Sequence, residues 1–119
     1  METTLSGREG ERAAARHLEK KGYKILESNY RAGGAEVDII AEKDQTLIFV
    51  EVKARGTDKY GLPEEFVDAR KRRKIIRAAK IFSGNTYYEN YFIRFDIIAV
   101  QFSEGEFNIN HIQDAFEES

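Results

Sequence analysis

Ala35-Glu36-Val37-Asp38-Ile39-Ile40 and Leu47-Ile48-Phe49-Val50-Glu51-Val52-Lys53-Ala54 are the two stretches on which the fold turns. Both read as apolar strands carrying charges in the wrong places. Side chains on a strand alternate between faces, so Glu36 and Asp38 are expected on one face of the first and Glu51 and Lys53 on one face of the second. The opposite faces hold Val, Ile and Ala. Runs this apolar belong to strands covered on both sides, where an ionised side chain is costly unless it is paired or holds a metal. Two acids and a lysine converging from neighbouring strands mark a candidate site, and the combination suits metal-dependent cleavage of a phosphodiester.

Working outward, Ser6-Gly7-Arg8-Glu9 matches a capping box and Gly22 stands where a helix C-terminal glycine belongs, which predicts a helix over 7–21 with Ala14, Ala15 and Leu18 on its apolar face. Residues 23–30 read as a strand of imperfect alternation, and Arg31-Ala32-Gly33-Gly34 as a turn into the strand around Asp38. Lys43-Asp44-Gln45 makes a short hairpin connection to the strand of Glu51 and Lys53. Residues 56–63 form a loop whose Pro63 suits the start of a helix expected over about 64–82, ending at Ser83-Gly84-Asn85. Strands are expected over 91–102 and, after a turn at Glu104-Gly105-Glu106, over 107–112. The order α-β-β-β-α-β-β, with no repeat and no linker, predicts one α/β or α+β domain spanning 1–119.

The chain has 119 residues, enough for a single core, and its hydrophobic and charged fractions of 41% and 34% are those of an ordinary globular protein. It has no cysteine, which removes disulfides, thiolate nucleophiles and cysteine zinc sites. Arg8, Glu9, Glu11, Arg12 and Arg16 interrupt the first twenty residues, unlike a signal peptide or anchor. No later segment reaches bilayer length, so the expectation is a cytoplasmic protein without membrane association. The net charge of −2 hides an uneven distribution. Residues 70–80 (RKRRKIIRAAK) hold seven basic residues and no acid, whereas no lysine or arginine follows Arg94. One positive face is therefore compatible with a sequence pI near 5.8.

Phosphodiester hydrolysis needs a hydroxide-like nucleophile and compensation for charge growing on the phosphoryl and leaving oxygens, and one or two Mg²⁺ or Mn²⁺ ions supply both. Mg²⁺ takes hard oxygen ligands, commonly one or two carboxylates completed by water and phosphate. Asp38 and Glu51 are suitable donors, with the carbonyl of Val52 beside them. Lys53 is placed to orient the attacking water or to stabilise developing negative charge. The bland alternative for Glu51 and Lys53 is an ordinary same-face ion pair.

Two helices add to this reading. Glu11 precedes Ala14, Ala15 and Leu18 by three, four and seven residues, at the centre of the apolar face. It is either an inward acid reaching the metal site or a first-turn acid favoured by the helix dipole. Arg70, Arg73, Lys74 and Arg77 follow one another at i, i+3, i+4 and i+7 as a basic stripe opposite Ala69, Ile75, Ile76, Ala79 and Phe82, with Lys71 projecting between stripe and core. A stripe without acids favours phosphate contacts of nucleic acid, with DNA the expected partner, over a merely solvated face. His17 and His111 lack spaced partners and read as structural or exposed. Asp96, in Arg94-Phe95-Asp96, is another charge in an apolar strand, to be paired with Arg94 or a helix residue.

With these residues in hand, the chain resembles the small bacterial YraN family of uncharacterised proteins, placed in the PD-(D/E)xK restriction-endonuclease-like nuclease superfamily near the Holliday junction resolvases. The resemblance covers nearly the whole chain: Gly7-Arg8-Glu9-Gly10-Glu11, Gly22-Tyr23-Lys24-Ile25-Leu26, Asn29-Tyr30-Arg31, the Glu36-x-Asp38 and Glu51-x-Lys53 elements, Lys71-Arg72-Arg73, Arg94-Phe95-Asp96 and His111 to Phe116. It departs at Ala35, where the family usually has glycine. The resemblance implies an αβββαβ core with a mixed central sheet flanked by helices. It implies metal-binding roles for Asp38 and Glu51, a catalytic Lys53, an accessory Glu11, and a basic helix motif containing Lys71. The expected activity is that of a Mg²⁺- or Mn²⁺-dependent endonuclease on DNA, including branched or structured DNA, against the alternative of an inactive nucleic-acid-binding module. Resolvase-like relatives work on symmetric junctions as homodimers, which carries over as an expectation although no dimer face is read from the sequence.

Overall fold

The computed structural model describes residues 7–55, 67–84 and 86–117. A helix, α1 (Gly7–Lys20), leads into three antiparallel strands, β1 (Lys24–Ala32), β2 (Ala35–Lys43) and β3 (Thr46–Arg55). A second helix, α2 (Ala69–Ser83), and a 3₁₀ turn (Thr86–Tyr88) connect to β4 (Phe92–Ser103), which lies parallel to β3, and β5 (Glu106–Phe116) closes an antiparallel hairpin. The strands stand in chain order in one five-stranded mixed sheet with β1 and β5 at its edges. This is a mixed α/β fold of one sheet and two helices.

Alternating residues of the central strand separate two cores. Leu47 and Phe49 pack with Ile75, Ala78 and Ala79 of α2, while Ile48 and Val50 pack with Ala13, Ala14 and Leu18 of α1. The helices therefore cover opposite faces, which explains why β2 and β3 read as nearly continuous apolar runs. Among the described residues no helix is long and apolar enough to cross a membrane.

The hairpin turns are built on left-handed backbone. Gly33 and Gly34 have φ of 60° and 78°, and Asp44 and Gln45 have φ of 50° and 56°, the pattern of two-residue turns that match strand twist. The imperfect alternation of β1 has a structural cause: its register with β2 shifts between Ile25 and Glu27, and Asn29 stands at φ 54°.

Element boundaries differ from expectation at three places. Within the described residues α2 starts at Ala69, because Asp68 takes an extended conformation and its side chain accepts the Lys71 N–H at 2.9 Å as an N-cap. Strand β5 continues to Phe116 rather than stopping at 112. Asp114, at φ 55°, absorbs a register shift opposite Phe95–Ile97, and Phe116 then stacks on Phe95 with centroids 5.1 Å apart. The 3₁₀ turn carries no sequence signal of its own, and its Tyr88 stacks on Phe82 at 5.3 Å. The Ser6 capping box, the loop over 56–63 and the start of a helix at 64–66 lie outside the described residues.

Candidate functional site

The pairing of β2 with β3 runs from Lys43–Thr46 to Ile39–Val50 and ends there, one step before Asp38 and Glu51 would face each other. The two strands fork at the acids. Strict alternation also breaks here, since Val37 packs in the α2 core while Ile39 packs in the α1 core. Asp38 bridges the fork: its Oδ2 accepts the Val52 N–H at 2.8 Å, replacing the lost ladder bond. The N–H and C=O of a strand residue leave on the same edge, so the Val52 carbonyl also faces the fork.

Around this fork the structure gathers most of the residues singled out in the sequence. Glu51, on the α2 face, is only 4% exposed. Its Oε2 is bridged by Lys71 Nζ from α2 and lies 3.5 Å from Lys53 Nζ. Lys71 thus points inward to an acid rather than standing beside the stripe. A cleft of about 560 Å³ opens over these groups, with Glu36, Asp38 and Glu51 on the sheet side and Asp68, Arg70, Lys71 and Lys74 on the helix side. The N-cap of Asp68 fixes the first turn of α2 and so sets Lys71 and Lys74 over the fork.

Two carboxyls confined this way cannot both ionise cheaply. Burial first, and then the Glu51 charge, push the Asp38 carboxyl up to about 7, against the opposing pull of the Val52 N–H. Lys53 is shifted down by burial and by the neighbouring Lys71. For Lys71 burial works against the charged form, but the bond to Glu51 outweighs it and the ammonium is held more firmly than usual. Glu11 sits at the mouth of the fork, half-buried, where burial and the charges of Glu36 and Glu51 raise its carboxyl. It bonds to neither site acid. Its Oε1 accepts from Asn29 Nδ2 at 2.9 Å.

The basic stripe divides. Arg70 and Lys74 line the cleft, and Arg73 is exposed. Arg77 turns back to the β1–β2 hairpin, donating to the Gly33 carbonyl at 3.1 Å. A Cβ on Gly33 would lie 3.0 Å from the Arg77 side chain, so glycine is required there for close approach as well as for its positive φ. Asn29 and Asp68 support the site and were not read from the sequence. Asn29 carried one usable signal, being a residue tolerant of left-handed backbone within an irregular strand.

A hard divalent ion suits the donors at the fork. Two carboxyls and a backbone carbonyl converge there, and the Asp38 carboxyl is raised first by burial and then by the Glu51 charge. Among the described residues no set of three or more His, Cys, Asp or Glu side chains forms a metal cage. An ion at the fork would keep several waters, as Mg²⁺ commonly does.

On the opposite face lies a second polar cluster. Asp96 is fully buried, and Arg94 grips it with two bonds of 2.9 Å from Nε and Nη2. The Asp114 N–H donates to Oδ1 at 2.9 Å and His111 Nε2 lies 2.7 Å from Oδ2. Arg94 also donates to the Tyr23 hydroxyl at 2.8 Å, and His17 Nε2 stands 3.3 Å from His111 Nδ1. The two histidines, 94 residues apart in sequence, are partners.

Comparison with known proteins agrees with the family resemblance. A UPF0102 protein of Clostridium perfringens is 42% identical over 109 residues, covering 90% of this chain and 89% of its own. One from Prosthecochloris aestuarii is 47% identical over 116 residues, covering 92% and 91%, and one from Persephonella marina is 41% identical over 117 residues, covering 98% and 97%. Residues 10–100, which carry the fork, the basic helix and Asp96, match the family as a unit, and the chain belongs to the uncharacterised protein family UPF0102, the YraN family.

Proposed function

We propose that the protein is a Mg²⁺- or Mn²⁺-dependent endonuclease that hydrolyses phosphodiester bonds in DNA, built on a restriction-endonuclease-like core of the PD-(D/E)xK type. The convergence of Asp38, Glu51 and Lys53 at the fork of two buried strands, beneath a basic helix, carries this reading. Asp38, Glu51 and the Val52 carbonyl would hold the metal, which when bound acidifies a water and offsets charge on the phosphoryl oxygens. Lys53, its proton loosened by burial, orients the attacking water and moves a proton at Nζ. Arg70, Lys71 and Lys74 bind the phosphates flanking the scissile one, and Arg73 extends the grip outward. Glu11 stands at the mouth as an accessory acid. Purified protein with Mg²⁺ or Mn²⁺ is expected to cut at least one of supercoiled, single-stranded or four-way-junction DNA, and Glu51→Ala to abolish the cleavage. Absence of cutting on all three, or cutting that persists unchanged in Glu51→Ala, defeats the proposal.

One observation favours a second reading, an inactive nucleic-acid-binding module. Lys71 and Lys53 already neutralise Glu51, the position a cation would take. On this reading DNA binding falls steeply with salt and is lost in the Arg73→Glu, Lys74→Glu double variant, yet is indifferent to Glu51→Gln.

A further inference from the structure

The pair His17 and His111 lies on the α1 face of the sheet and belongs to no part of the proposed cleavage site. Asp96 is gripped by Arg94 and by the Asp114 N–H, so its carboxyl is held ionised: burial works against the charge, but the bonds from His111, Arg94 and Asp114 outweigh it. An ionised carboxylate only accepts, so His111 Nε2 carries the hydrogen donated to Oδ2 at 2.7 Å. In neutral His111 the lone pair is then on Nδ1, aimed at His17 Nε2 at 3.3 Å. A carboxylate fixing the far nitrogen of an imidazole whose near nitrogen presents its lone pair is the outer-shell arrangement of protein metal sites. The spacing agrees as well: two nitrogens each about 2.05 Å from a tetrahedral centre stand roughly 3.3–3.4 Å apart.

We infer that His17 Nε2 and His111 Nδ1 form a two-histidine site for a borderline transition-metal ion of the Zn²⁺ class, oriented by the buried Asp96. Imidazole suits Zn²⁺, Ni²⁺ and Cu²⁺ and is poorly suited to Mg²⁺, so this site and the carboxylate fork select different ions. His17 is half-exposed and gives the ion an approach from solvent, and water fills the remaining positions. Burial, then His111 and Lys21, favour neutral His17, the form a metal needs. On binding, neutral His17 moves its single ring hydrogen from Nε2 to Nδ1, by exchange with solvent, so Nε2 is freed for the ion and the net protonation of the pair is unchanged.

The test titrates Zn²⁺ into the full chain, free of any affinity tag, against a chromophoric zinc indicator at pH 7.5. Wild type is expected to take up one Zn²⁺, His17→Ala to bind about tenfold more weakly or worse, and Glu51→Gln to bind as wild type. His17 is a partly exposed helix position where alanine is well tolerated, so the variant keeps its fold. Histidine-detected NMR supplies a second readout, in which the His17 Nε2 and His111 Nδ1 signals shift together during the titration. No uptake by wild type, equal uptake by His17→Ala, or loss of uptake in Glu51→Gln overturns the inference, and the cleavage proposal stands or falls apart from it.

Discussion

Asp38 and Asp96 project from interior strands of one sheet, toward the α2 side and the α1 side, and their surroundings drive their carboxyls in opposite directions. Asp96 is met by a bidentate arginine, a histidine and a backbone N–H, and together these lower its carboxyl despite complete burial. Asp38 has one backbone N–H and a second carboxylate across the fork, and its carboxyl is pushed up to about 7. The same residue type is a structural anchor where it is fully buried and a charge held at a cost where it is only partly buried. Burial alone does not decide which; the balance of donors does. A group kept uncomfortable by its fold is the kind that a ligand can relieve.

The largest break in this comparison comes from removing one charge from each aspartate. Asp96→Asn keeps the shape but leaves Arg94 without its counter-charge, and we expect a loss of about 3–5 kcal/mol in urea unfolding. The sign with pH follows from the lowered carboxyl. The stabilisation it provides is present above the unfolded aspartate value near 3.9 and is lost as pH falls through the lower folded value. Wild type should therefore weaken on acidification below about pH 4, and Asp96→Asn should lose less stability than wild type over that range. A variant as stable as wild type at pH 7 would remove the anchor side of the contrast.

Asp38→Asn should do the reverse, and by less. The amide oxygen still accepts the Val52 N–H, while the repulsion with Glu51 disappears. Because the folded carboxyl is raised, ionisation destabilises the fold progressively between the unfolded value near 4 and the folded value of about 7. The gain from the substitution is expected to be absent near pH 4 and to reach about 2 kcal/mol above pH 7, partial because Asp38 titrates together with Glu51. Melting temperatures at pH 4.5 and pH 8 measure it. A destabilised Asp38→Asn at pH 8 would show that the fork is an ordinary polar cluster.

Much of this was legible beforehand, for reasons that residues make plain. Apolar runs interrupted by Asp38, Glu51 and Lys53 gave the strands and the convergence of these side chains together, because period-2 patterning and charge cost are local properties. The first helix, the hairpin turns and the basic stripe were read from equally local signals. Three features could not be. The fork at Asp38 depends on where β2 and β3 stop pairing, which no single strand encodes. Lys71 turned to Glu51 because Asp68, rather than a residue near 64, fixes the described start of α2. His17 and His111 meet only because β5 pairs with β4 at the sheet edge and so brings His111 to α1, a relation between distant parts of the chain that spacing cannot reveal.

The smallest test sharpens the contrast at its edge. Asn29 holds Glu11 at the mouth of the fork, as Arg94 holds Asp96, but with one neutral bond from a residue at φ 54°. Asn29→Gly removes the donor and eases the backbone, and the lost bond and the relieved conformation offset each other to within about 1 kcal/mol. The readable effect is on Glu11. Burial and the Glu36 and Glu51 charges raise its carboxyl, while the Asn29 bond lowers it, so losing that bond should raise it further. Carboxyl-detected NMR titration of wild type and Asn29→Gly measures the change, with Glu11 in the variant gaining its proton at a higher pH. A Glu11 titration unmoved by the substitution would mean that solvent already supplies what Asn29 donates, and that the mouth of the fork, unlike the Asp96 network, holds its acid without a tether.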